Sequence, residues 1–137
     1  MKKLLAVAAV VLVSALAAEL SLVQPKDFAA ELSRGAKPAI IHVGFNVLYR
    51  SHHVPGSLYA GPASKPEGLA LLQQAVKNLP RDREIVIYCG CCPWDHCPNI
   101  KPAFEELARM GFTHVRALSI PTNFKIDWMD HGYPVEP

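Results

Sequence analysis

Outside one nine-residue stretch, Cys89 to Cys97, the 137-residue chain has no cysteine. No disulfide can therefore staple distant elements, and any bridge within the stretch closes too small a loop to constrain the unfolded chain much. The chain has no internal repeat and no low-complexity segment, and its length suits one domain. It has almost no net charge. The formal value is +2, and without Lys2 and Lys3 twelve basic residues face twelve acidic ones. With no basic stripe, no nucleic-acid partner is expected. The N-terminal apolar run, Leu4 to Ala17, has 14 residues, whereas spanning a bilayer takes about 20.

That run does have the form of a secretory signal. Lys2 and Lys3 form a basic start, Leu4 to Ala17 an uncharged core, and Ala15-Leu16-Ala17 an A-x-A cleavage site. The expectation is a signal peptide over 1–18, a domain over 19–137, and a secreted or periplasmic location. No cysteine follows the cleavage site, so no lipoprotein anchor and no stable membrane anchor are expected after cleavage. An uncleaved anchor helix is the alternative.

Short apolar runs alternate with helical patterns along the rest. Leu20 to Val23 reads as an edge strand stopped by Pro25. Pro25 to Gly35 reads as a helix with Phe28, Ala29 and Leu32 on one face and Gly35 at its C′ position. Ala39 to Val43 is a strand covered on both faces, and Gly44 to Pro66 reads as loop with a Pro55-Gly56 turn. Leu69 to Leu79 is a second helix, Ile85 to Tyr88 the central strand, and Asn99 to Arg109 a helix stopped by Gly111. His114 to Leu118 is the next strand, and Ile126 to His131 a short helix ended by Gly132. The pattern predicts an α/β fold: a mostly parallel sheet of about five short strands with helices on both faces.

The cysteines stand between the central strand and the helix that follows it, in Tyr88-Cys89-Gly90-Cys91-Cys92-Pro93-Trp94-Asp95-His96-Cys97-Pro98. A strand end facing a helix N-terminus offers converging backbone N–H groups and a partial positive charge. Both favour a thiolate over a thiol. Clustering of this kind points to chemistry or to metal. Cys91, Cys92 and Cys97 read as auxiliary thiols that could relay or resolve sulfur held on Cys89, or as one structural disulfide joining Cys97 to Cys91 or Cys92. A soft metal, zinc or copper, held by Cys91, Cys92, His96 and Cys97 is the other reading, although Cys-x-Cys-Cys-x4-Cys is not a common zinc spacing. The plainest reading of Cys89 is an inert buried thiol.

Four stretches in order resemble the rhodanese-homology family. Asp27-Phe28 with Pro38 to Val43 is similar to its opening. His53-Val54-Pro55-Gly56-Ser57 is similar to its His-hydrophobic-Pro-Gly-Ala box. Ile85 to Cys89 resembles the strand that delivers its cysteine. Asn123-Phe124, Trp128 and Gly132-Tyr133-Pro134-Val135 resemble its closing pattern. The resemblance spans residues 22–136 and implies a rhodanese-like α/β fold and a sulfurtransferase mechanism. Cys89 would take a sulfane sulfur as a persulfide and pass it to a thiol or cyanide. No cofactor is implied, and the partners would be a small sulfane-sulfur donor and a thiol acceptor.

The departures from that family are specific. Its active loop is usually six residues and ends in a basic residue, whereas here Cys89 and Asn99 are ten positions apart, with no arginine between them. His96 and Lys101 are the nearest groups that could supply positive charge. The family's first core strand usually ends in Asp-x-Arg, where this chain has His42-Val43-Gly44. An anionic donor such as thiosulfate should therefore be poor. His42, at the C-terminal end of a strand, is a candidate for lining the site. His53 is expected to tie its loop to the sheet, Trp94 to anchor the cysteine loop, and Trp128 to lie in the core. His52, His114 and His131 read as surface or packing residues. A non-catalytic binding module, holding a metal or a partner protein, is the alternative to an enzyme.

Overall fold

The computed structural model describes residues 19–137. The expected signal peptide over 1–18 lies outside the described residues. Among those residues no helix is long and apolar enough to cross a membrane.

The elements in chain order are β1 (Ser21–Val23), α1 (Pro25–Ser33), β2 (Ala39–His42), α2 (Asn46–Ser51), β3 (Leu58–Tyr59), α3 (Pro66–Val76), β4 (Ile85–Tyr88), α4 (Ile100–Arg109), β5 (Val115–Leu118) and α5 (Phe124–Asp127). A 3₁₀ turn over Met129–His131 follows. The strands form one five-stranded sheet in the order β1-β5-β4-β2-β3. Every pairing is parallel rather than mostly so. Among the described residues the one antiparallel feature is an isolated bridge between His53 and Glu136.

Alternation along β4 sets the position of everything that follows. Side chains in a strand point to opposite faces in turn. Ile85, Ile87 and, one step past the strand, Cys89 pack on one face with Leu72, Val76, Ala103 and Leu107, which belong to α3 and α4. Val86 and Tyr88 pack on the other face with Phe28 of α1, Phe124 of α5 and Trp128. Both faces are covered, so β4 carries four fully apolar or aromatic residues, all buried. The Cys89 thiol thus arrives on the face from which α4 starts.

Three stretches differ from the expectations. Gly44 to Pro66 is not all loop, since it holds α2 and β3. Helix α2 has no buried residue, so it leaves no apolar stripe to read. Helix α3 starts at Pro66, three residues earlier than the apolar stripe, because proline fits the first helical position. The last helix starts at Phe124, where the Asn123 carboxamide accepts the Ile126 N–H at 3.0 Å, and it breaks into the 3₁₀ turn after Asp127.

Candidate active site

Cys89 is 2% exposed and sits one residue past β4. Gly90 follows with φ +83°, a left-handed conformation that turns the chain away from the strand direction. The loop is then pinned at several points. Gly90 O accepts from Phe124 N–H at 3.0 Å, Ile120 O from Trp94 N–H at 2.9 Å, and Pro93 O from His96 N–H at 3.0 Å. Trp94 therefore anchors the loop through its backbone, against the segment after β5.

The pinned loop gathers the thiols. Cys89 Sγ is 3.3 Å from Cys91 Sγ, and Cys91 Sγ is 3.1 Å from Cys92 Sγ. The sulfurs of Cys89, Cys91 and Cys97 all lie within 4.8 Å of one another. All four cysteines are free thiols; Cys89 and Cys97 are buried, and Cys91 is exposed.

Asn99, just before α4, reads in the sequence only as the start of a helix. Its side chain makes no capping bond. Instead its Nδ2 donates to Cys89 Sγ at 3.4 Å, and its Oδ1 accepts from Ser64 N–H at 2.9 Å. Asn99 is wholly buried, so the Ser64 bond fixes the amide with its donor aimed at sulfur. A second donor is the backbone N–H of Cys91.

The acidity of the buried pair is split against the sequence-based expectation. Cys97 is drawn down to about 6, first by the facing Cys89 thiol, and further by the backbone N–H groups of Asn99 and Ile100 and the Cys92 thiol. Those two N–H groups are orphan donors at the start of α4, where the helix N-terminus favours negative charge. Cys89 is pushed up, first by its hydrogen bond to Cys97 and then by burial. Cys92 is raised to about 12, mainly by burial. The two thiols are coupled and titrate as a pair.

Gly44 occupies the position of the arginine in the resembled pattern. A Cβ there would lie 2.8 Å from Cys89 Sγ and 2.9 Å from Cys89 O. No side chain fits beside the sulfur, so the departure from Asp-x-Arg has a steric cause. His42 lies at the same sheet edge, 2% exposed, with Nδ1 accepting the Gly44 N–H at 3.2 Å. Burial, with a contribution from His53, lowers it to about 4, so it is neutral at pH 7.

Cys89 opens onto a cavity of about 520 Å³, shared with His42, Leu48, His52, Cys91, Phe124, Lys125 and Met129 among others. The Lys125 ammonium there is tied to the Asp130 carboxylate at 2.8 and 3.0 Å. His52 lines this cavity because it directly follows α2, an element with no sequence signal. His96 and Lys101 do not line it. The His96 side chain is 79% exposed and 3.1 Å from Asp95, and the Lys101 ammonium faces Glu105 at 3.7 Å in the next helical turn. The ligand set Cys91, Cys92, His96 and Cys97 is likewise not assembled, since the turn from Pro93 sends His96 to solvent; Cys89 joins Cys91 and Cys97 in its place. His53 binds the C-terminal segment and α2, not only the sheet: its Nδ1 meets Tyr49 O at 2.8 Å and its Nε2 meets Glu136 Oε1 at 3.2 Å. Trp128 is fully buried in the core.

No family model matches the chain, and no curated protein matches it in sequence. Solved structures do. The chain is 21% identical to the rhodanese-like domain of an Anabaena protein, covering 86% of this chain and 80% of that one at a TM-score of 0.65. It is 16% identical to a single-domain sulfurtransferase of Saccharomyces cerevisiae, covering 83% and 92%, TM-score 0.61. It is 15% identical to a polysulfide-sulfur transferase of Wolinella succinogenes, described as a homodimer, covering 85% and 78%, TM-score 0.62.

Proposed function

We propose that this chain, which has the rhodanese-like fold, is an exported sulfurtransferase that carries sulfane sulfur on Cys89. Its structural neighbours include sulfurtransferases. The observation that carries this reading is the buried Cys89 sulfur at the end of the central strand, met by the Asn99 amide and the Cys91 N–H and open to a cavity on one side. Fixed donors around a sulfur stabilise a persulfide anion as an oxyanion hole stabilises an alkoxide.

The step balances within the site. Cys89 sulfur attacks the outer sulfur of a donor R–S–SH, the S–S bond of the donor breaks, and R–S⁻ leaves. The Cys89 proton passes to Cys97, which faces it. An acceptor thiol then takes the outer sulfur from Cys89. The donor class follows from charge. Lys125 is already neutralised by Asp130, and a doubly charged donor would lose hydration that the cavity does not replace. Hydropersulfides and short polysulfides suit the site better than thiosulfate.

Intact mass of the mature protein after one equivalent of glutathione persulfide tests this, with sulfur uptake abolished in Cys89→Ser; uptake unchanged in that variant overturns it. N-terminal sequencing tests export: cleavage near Ala17 is expected, and a retained Met1 contradicts it. The mutual approach of Cys89, Cys91 and Cys97 favours one second reading, a soft-metal module. Native mass spectrometry with stoichiometric copper(I) or zinc, and no sulfur uptake, would favour it over transfer.

A further inference from the structure

Two thiols stand near Cys89, one exposed and one buried, and the difference has chemical consequences. Cys91 is exposed and lines the same cavity as Cys89. It meets a persulfide where the outer sulfur stands. Cys97 is buried among the core residues below α4, with Ile100 and Ala103, and does not line the cavity. It meets Cys89 from the core side, with its sulfur within 4.8 Å. Attack on a disulfide-like bond proceeds along the S–S axis, and which sulfur is attacked decides the product. For a persulfide whose outer sulfur points into the cavity, a thiol that does not line the cavity addresses the inner sulfur and drives the outer one out.

We infer that Cys97 is a resolving thiol that turns the loaded domain into a persulfide reductase, expelling the sulfur as hydrogen sulfide and leaving a Cys89–Cys97 disulfide. This rests on sulfur loading at Cys89. The reaction is Cys89–S–SH plus Cys97–SH giving Cys89–S–S–Cys97 plus H₂S. The Cys97–Cys89 bond forms, the bond to the outer sulfur breaks, and the proton of Cys97 leaves with it. The sulfane sulfur is reduced by two electrons and the two thiols are oxidised by two. An external thiol, two equivalents of a small thiol or one dithiol, reduces the disulfide and resets the site.

The site is arranged for this. Cys97 stands just before the start of α4, whose unpaired N–H groups favour a thiolate there. The loop between Cys89 and Cys97 is tied at Gly90 and Trp94, and the two sulfurs stand within 4.8 Å of one another. Cys91 takes the other branch: attack on the outer sulfur moves it to an exposed thiol and keeps it sulfane. The two thiols set the choice between releasing sulfide and passing sulfur on.

The test loads full-length mature protein with one equivalent of glutathione persulfide, removes small molecules, and follows sulfide and mass with no reductant present. The wild type is expected to release about one sulfide per chain and to lose about 2 Da, with Cys89 and Cys97 linked by peptide mapping. Cys97→Ser is expected to keep about 32 Da on Cys89 and to release sulfide at least about tenfold more slowly. Cys91→Ser removes the competing branch and is expected to release sulfide at least as fast as the wild type. If wild type and Cys97→Ser both hold the sulfur and release none, the inference is overturned while loading at Cys89 stands. A disulfide of Cys89 with Cys91, or release that stops in Cys91→Ser alone, also overturns it. If no protein takes up sulfur, loading itself fails and the inference with it. The wild-type mass and mapping need no variant, so misfolding of Cys97→Ser cannot rescue the proposal.

Discussion

The two ends of the parallel sheet carry opposite chemistry. At the N-terminal end Arg116 of β5 binds Glu31 of α1 through two bonds of 3.0 and 2.8 Å and also meets Glu84, which precedes β4. At the C-terminal end the buried polar groups include His42, Cys89, Cys97 and Asn99, with His42 held neutral. Among the described residues the one ammonium lining the Cys89 cavity, Lys125, is cancelled by Asp130. Under the proposed function, N–H donors and neighbouring thiols control the sulfur, and the ion-pair end contributes to stability.

Breaking the thiol end should have the largest effect. Cys89→Ser is expected to lower single-turnover transfer by about a thousandfold or to background, because no other thiol meets both the Asn99 amide and the cavity. Gly44→Ala comes next. Its Cβ would meet both the sulfur and the carbonyl of Cys89, so transfer should fall by about a hundredfold and stability by about 1–3 kcal/mol in denaturant titration. Normal activity in Gly44→Ala would mean that the sulfur is not confined as described.

Donor charge sharpens the comparison further. Thiosulfate should be at least about tenfold slower than glutathione persulfide, and Lys101→Met should change neither rate, since Lys101 faces Glu105 and solvent. Comparable rates, lost selectively for thiosulfate in Lys101→Met, would place a cation at the site after all.

The pH dependence of stability separates the ends again. His42 binds its proton less well folded than unfolded, so the unfolded chain takes up the proton first as pH falls. Stability present above about pH 6.5 should decline by about 3 kcal/mol down to about pH 4 and then level off with respect to this group. His42→Gln should flatten that slope in urea titrations. The smallest effect belongs to the other end. Arg116→Met should cost about 1 kcal/mol, read as a lower melting temperature, with transfer unchanged.

What the sequence made legible follows from which signals are local. The apolar runs of β2, β4 and β5 and the glycines after α1 and α4 read directly, with Gly35 and Gly111 both at φ +91°. Helix α2 left no trace because it buries nothing. At the site, the strand-end position of Cys89 and the sheet-edge position of His42 were readable by counting along strands. Asn99 was not, because its role depends on a side chain that leaves its own helix end for Ser64 N–H and Cys89. Gly44 was visible as a departure but not as the space the sulfur needs. His96 and Lys101 were sound as nearby cations in sequence, yet the turn at Pro93 and the first turn of α4 send both outward.

The most direct test is to find which sulfur is loaded first. Wild-type protein mixed with one equivalent of glutathione persulfide is quenched by alkylation at successive short times, and each cysteine is mapped for an added sulfur. The account predicts that the label appears first on Cys89 and only later, if at all, on Cys91 or Cys92. First appearance on Cys91, Cys92 or Cys97, or no label on any cysteine, would contradict it.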